Sequence, residues 1–203
     1  MDSTTMLHEF RQEIALAVNF SYGANHNAQE ARCAREQCAA LGIELIEIDL
    51  AFMGRYFNSA LLSGADAIPT GEYDADNMAA TVVPFRNGIM LSIAAGLAES
   101  RNLDTVMIAN HSGDHHIYPD CRPEFISAIQ EAISAGSGGK VRLSAPYTSL
   151  NKTEIARHGL RLGVDYSRTY SCYKGTDTPC GECATCRERE EALREAALSI
   201  WGK

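Results

Sequence analysis

The feature that most restricts this chain is a run of thiols: Cys172, then Cys180-Gly181-Glu182-Cys183-Ala184-Thr185-Cys186. Three cysteines with two residues between each fold back within one tight turn, and Cys172 supplies a fourth sulfur from just upstream. Four thiolates about 2.3 Å from a metal complete a closed tetrahedral zinc shell. A closed shell leaves no position for substrate, so the expected zinc is structural. Binding it should fold the segment, since structural zinc contributes on the order of 10 kcal/mol in small modules. Four cysteines also suit an iron–sulfur cluster. The start, MDSTTMLHEF, lacks the basic-then-apolar layout of a secretory signal. Clustered thiols without such a signal point to a reducing, cytoplasmic setting. Of the remaining cysteines, Cys33 and Cys38 read as buried helix residues, and Cys121 lies in a loop.

Upstream of the thiols, short apolar runs alternate with segments of helical spacing. Residues 14–20 and 105–109 are nearly continuous apolar runs that read as buried strands, as do residues 44–49 and 141–143. Ala31, Ala34, Cys38 and Leu41 share one helical face, and Gly42 sits where a helix C-cap belongs. Ile89, Ile93 and Leu97 mark another helix, and Phe125, Ile126, Ile129 and Ile133 a third with Pro123 near its start. Asn151 heads a helix with Glu154 completing a capping box. Residues 63–77 are polar and Gly-containing and read as a loop or lid. The alternation implies an α/β fold with a doubly wound parallel sheet. Residues 1–165 are expected to form that domain, and 166–203 a small zinc-binding segment with a C-terminal helix. Ligands of such sheets sit beyond the carboxyl ends of the strands, at the loops after Phe20, Asp49 and Ala109.

A net charge of −8 argues against a broad grip on nucleic acid. No apolar run approaches the roughly 18–20 residues that a membrane helix requires. The loop after residue 109 holds His111, Asp114, His115, His116 and Asp120, which by donor type alone would suit a catalytic metal. Arg86 is a candidate for bidentate clamping of phosphate or carboxylate. Lys152, in the first turn of its helix, opposes the helix dipole, which a bound anion would rationalise.

Several segments then line up in order: Val83-Pro84-Phe85-Arg86-Asn87, Tyr118-Pro119-Asp120-Cys121-Arg122, Lys152-Thr153-Glu154-Ile155, Thr169-Tyr170-Ser171-Cys172-Tyr173 and the four-cysteine run. Together they resemble the 7-cyano-7-deazaguanine synthase (QueC) family of the PP-loop ATP pyrophosphatase superfamily, over almost the whole chain. The resemblance implies an ATP-dependent carbon–nitrogen ligase. ATP would activate the carboxylate of a 7-carboxy-7-deazaguanine, ammonia would displace the activating group to give an amide, and a second activation would give the nitrile. An unactivated carboxylate is a poor electrophile, so the chemistry needs charge neutralisation on phosphates rather than a protein nucleophile. The absence of a Gly-x-Ser-x-Gly elbow agrees with that.

The resemblance also implies site roles. Lys152, Arg86 and Asp114 would be catalytic. Asp2, Ser3, Thr4 and Thr5 correspond to the tail of the family's Ser-Gly-Gly-x-Asp-Ser phosphate loop and would hold ATP, with magnesium. The preceding strand and glycines of that signature are not in the sequence, which implies either a misplaced chain start, the favoured reading, or a natural truncation with a weakened grip on ATP. Tyr22, His26, Asn87, Tyr118, Asp120 and Arg122 would bind the deazapurine. Ser21 and Ala24 replace Asp and Gln of the family's Asp-Tyr-Gly-Gln-x-His segment, and Phe85 stands where the family has Gly. A homodimer is implied. Two other readings stay open. One is another PP-loop adenylating enzyme such as a tRNA-thiolating one, for which Cys121 is the loop thiol. The other is a deazapurine-binding protein without ATP use.

Overall fold

A computed structural model describes residues 1–202. Its elements run α1 (Asp2–Glu9), β1 (Leu16–Ser21), α2 (Asn27–Leu41), β2 (Glu44–Asp49), α3 (Met53–Tyr56), α4 (Ala75–Met78), α5 (Arg86–Ser100), β3 (Thr105–Met107), α6 (Pro123–Gly136), β4 (Arg142–Ser144), α7 (Lys152–Arg161) and α8 (Ala184–Trp201). The chain divides into two compact units: Met1–Pro84 with the segment from Lys152 onward, and Phe85–Asn151.

In the first unit β1 pairs in parallel with β2, from Leu16 opposite Glu44 to Ser21 opposite Asp49, and α2 is the crossover. Parallel neighbours require such a crossover, because a tight turn cannot return the chain to the same end of the sheet. Gly42 ends α2 in the left-handed conformation, φ 68°, and its N–H reaches the Cys38 and Ala39 carbonyls. Glycine adopts that conformation without steric penalty. Cys33 and Cys38 are buried on α2 as the helical spacing implies. β1 is half-buried throughout, whereas its apolar run suggested full burial. Among the described residues it pairs only with β2, so its other edge is unshared. The unit's core lies where α7 and α8 pack around Met1, Ala156, Val164, Tyr166, Ala192 and Ala196. Tyr166 Oη meets Thr5 Oγ1 at 2.7 Å, so a buried hydroxyl pair ties α1 into that core. Gly159 is required there, because any Cβ would collide with the Tyr166 hydroxyl.

The segment read as a loop or lid holds short turns and the four-residue α4, whose N-cap Asp74 accepts from the Asn77 amide. Thr70 makes an antiparallel bridge to Cys183.

In the second unit β3 pairs in parallel with β4 through α6, with Val106 opposite Leu143. Leu91 and Ala98 of α5 and Ile126 and Ile133 of α6 enclose Val106, Val141 and Leu143. Pro123 occupies the first turn of α6, where its missing N–H costs nothing. Parallel strands with helical crossovers confirm the α/β class. No single helix among the described residues is long and apolar enough to cross a membrane.

Candidate active site

The four cysteines converge. Their Sγ atoms all lie within 4.8 Å of one another, with Cys180 to Cys186 and Cys183 to Cys172 each at 4.0 Å. A tetrahedron with metal–sulfur bonds of about 2.3 Å has sulfurs about 3.8 Å apart, so the set fits zinc. Backbone amides of Cys180, Glu182 and Cys183 point at Cys172 or Cys180 sulfur at 3.3–3.5 Å, a donor set that favours thiolates. The Cys183 thiol is lowered to about 4, first by the hydrogen bond from Cys186, while that same bond pushes Cys186 up.

The residues flanking this clasp reach other predicted positions of the first unit. Tyr173 stacks on His26, ring centroids 5.1 Å apart. His26 Nε2 lies 3.2 Å from Tyr22 Oη and 3.6 Å from Glu30 Oε2. His26 is 3% exposed, so it is an interior residue, and its Nδ1 has no hydrogen-bond partner among the described residues. Asn27 fixes the loop by accepting from the Tyr22 and Ala24 amides at 2.8 and 2.9 Å. Gly175, φ 72°, passes so close to the Asn25 carbonyl that no side chain fits.

Lys152 begins α7. Its Nζ lies 2.8 Å from Glu188 Oε2 and 3.6 Å from Asp2 Oδ2, over the Tyr73 ring. The anion expected beside this lysine is therefore present as two carboxylates of the chain itself. Asp2, Ser3, Thr4 and Thr5 form the first turn of α1. Ser3 is exposed, whereas the Thr5 hydroxyl is buried against Tyr166 Oη and the Met1 carbonyl.

The second unit gathers the other set. The Asn87 amide donates to Asp120 Oδ2 at 2.8 Å, a carboxylate placed at the start of α5 where the dipole favours it. Asn87 Nδ2 reaches the Asp120 carbonyl and Cys121 Sγ. Asn110 donates to the Cys121 carbonyl. His111 Nδ1 accepts from the Gly113 amide at 3.2 Å, which leaves Nε2 facing Asp114 Oδ2 at 3.5 Å. Arg122 Nε donates to the His115 carbonyl at 2.8 Å, and Tyr118 is buried. Arg86 opens α5 beside Phe85. The histidines and carboxylates of this loop form no metal-holding group among the described residues; the four cysteines alone do.

Cys121 is buried, and desolvation first, then Asp114 and Asp120, push its thiol far up. A thiol so held is not a nucleophile at neutral pH. Iodoacetamide at pH 8 should leave Cys121 unmodified in the native protein, read by peptide mass. Cys121→Ser should keep turnover within about threefold, because serine retains an acceptor for Asn87 Nδ2 and the thiol takes no part in bond making. Rapid alkylation of Cys121 would contradict this.

Sequence reasoning missed Glu188, Tyr173, Asn110 and Asn27. Asn27 carried a signal, an Asn one residue past a Gly-Ala-Asn-His turn at a helix start. Glu188 carried none, because its partner lies 36 residues away.

The family model of "Queuosine biosynthesis protein QueC" matches residues 1–197. A Porphyromonas gingivalis protein named 7-cyano-7-deazaguanine synthase is 54% identical over 98% of this chain and 90% of its own length. Proteins of that name from Desulfotalea psychrophila (47%, covering 96% and 90%) and Hahella chejuensis (42%, covering 95% and 84%) are also similar. With that extent of match and the four-sulfur clasp in place, the chain belongs to the QueC family of queuosine biosynthesis proteins.

Proposed function

We propose that this protein is an ATP-dependent ligase that converts 7-carboxy-7-deazaguanine and ammonia to 7-cyano-7-deazaguanine. The observation that carries the reading is similarity across nearly the full chain to relatives bearing that name. The first turn of α1 and Lys152 bind the nucleotide phosphates: backbone N–H groups and the exposed Ser3 hydroxyl donate, and the ammonium, exchanging Glu188 and Asp2 for phosphate, neutralises developing charge. Magnesium accompanies the ATP. Arg86 holds the carboxylate or its phosphate ester, and Asp114 faces the guanine-like N–H edge, where a carboxylate accepts two adjacent donors. Tyr22, His26, Asn87, Tyr118, Asp120 and Arg122 shape the binding surfaces. For Asn87 and Asp120 that role is indirect, because each is engaged with the other.

Cys172, Cys180, Cys183 and Cys186 hold zinc, which supplies a fixed tetrahedral cross-link and takes no part in bond making. Residues 1–165 carry the nucleotide chemistry and 166–203 the clasp. The enzyme works in the cytoplasm as a homodimer. A thiolating chemistry is not favoured, because among the described residues the only cysteine in the strand-end loops is the buried Cys121.

Incubation with magnesium-ATP, ammonium and the 7-carboxy acid, followed by mass analysis, tests the reading. The nitrile is expected, with the amide as a transient. Retained affinity for the acid without ATP turnover would show a binding protein instead.

A further inference from the structure

Phe85 is built against local preference in three ways. Its backbone is left-handed, φ 54° and ψ 26°, a conformation that a bulky aromatic residue rarely adopts. It caps α5 without a side-chain hydrogen bond, at a position that favours Ser, Thr, Asp, Asn or Gly. The residue is 59% exposed. Glycine would relieve the strain and Ser or Asn would cap the helix, so neither the backbone nor the cap accounts for an aromatic ring here.

The ring is nevertheless held in place. Its Cδ1–Cε1–Cζ edge lies on Gly88, where any Cβ would strike it. Phe125 meets it edge-to-face, centroids 5.8 Å apart at 89°. The Phe85 carbonyl receives the Ile89 amide at 3.1 Å, the first turn of α5. The next residue but one, Asn87, is pinned by Asp120. A rigid, flat, partly exposed ring of this kind is a stacking platform, because stacking on an aromatic face needs little further ordering of the side chain.

We propose that Phe85 is a specificity-determining residue that stacks on the flat heterocycle of the acid substrate. This rests on the reading above that the substrate is a deazapurine acid. Stacking requires an aromatic ring and not mere bulk. Phe85→Tyr and Phe85→Trp should therefore bind like the wild type, whereas Phe85→Leu and Phe85→Gly should not.

The test is calorimetric titration of 7-carboxy-7-deazaguanine into each full-length, metal-loaded protein with a non-hydrolysable ATP analogue present. Thermal melts verify that each variant is folded. The Tyr and Trp variants should bind within about threefold of wild type, and Leu and Gly about tenfold more weakly, the scale of one base–aromatic stack. Pyrrole-2-carboxylate, a smaller flat acid, should lose less than the bicyclic acid does on Phe85→Leu. If Phe85→Gly fails to fold, the comparison of Leu with Trp still decides. Equal affinity of Phe85→Leu and wild type, or equal weakness of Leu and Trp, overturns the assignment of Phe85. No binding of the acid to wild type overturns the substrate reading itself.

Discussion

Cys183→Ser should lose its zinc and most of the cooperative unfolding of the first unit. Structural zinc supplies on the order of 10 kcal/mol to small modules, so breaking one thiolate bond should remove several kcal/mol. The loss would not stay at the sulfurs. Cys183 caps α8, and its carbonyl receives the Cys186 and Arg187 amides at 2.9 and 3.2 Å. Arg189, one turn further along α8, donates to Ser171 Oγ and to the Tyr166 carbonyl, and α8 carries Ala192 and Ala196 into the core. Metal content by a colorimetric chelator and the midpoint of a circular-dichroism melt are the readouts. A variant with no metal and an unchanged midpoint would refute a structural role for the clasp.

Lys152→Met should abolish turnover and also destabilise the fold, and the two effects can be separated. Loss of a preorganised cation on a phosphoryl group costs about 10²–10³ in rate. The stability effect has another origin: Glu188 and Asp2 are both largely buried and would face each other without their shared ammonium. Removing one partner of a buried pair costs about 3–5 kcal/mol, less here because the groups keep some solvent contact. The double variant Lys152→Met/Glu188→Gln removes the surplus charge, so its melt should recover toward wild type while its turnover should not. Turnover of Lys152→Met within threefold of wild type would remove Lys152 from the phosphate chemistry.

What could be read in advance follows the range of the interactions. The thiols announced themselves because a metal site imposes a short spacing on nearby residues. Gly42 was legible for the same reason: a left-handed C-cap is a local demand that glycine meets. β1 looked fully buried because its residues are apolar, yet burial depends on what pairs with its second edge, which composition does not encode. His26 illustrates the limit at the site. Its place after a strand made it a ligand candidate, but its burial depends on Tyr173 and the nearby Gly175 turn, nearly 150 residues away. Asp120 was expected to serve the substrate, but that its Oδ2 also accepts from the Asn87 amide at the head of α5, a partner 33 residues off, is something no motif spacing reveals.

The first unit is discontinuous in sequence, and the second is a continuous stretch set into it. During synthesis, residues 85–151 can therefore complete their own core while the ribosome is still translating the remainder. The earlier-made α1 must wait, because its partners in the core, Tyr166, Ala192 and Ala196, have not yet emerged. Protein folding often proceeds vectorially, N-terminal parts first. For α1 that order would be reversed, because its core partners lie on the C-terminal helices. If the clasp takes up zinc as proposed, its four sulfurs are among the last residues made, so scarcity of the metal would reduce the yield of finished protein rather than the rate at each finished site.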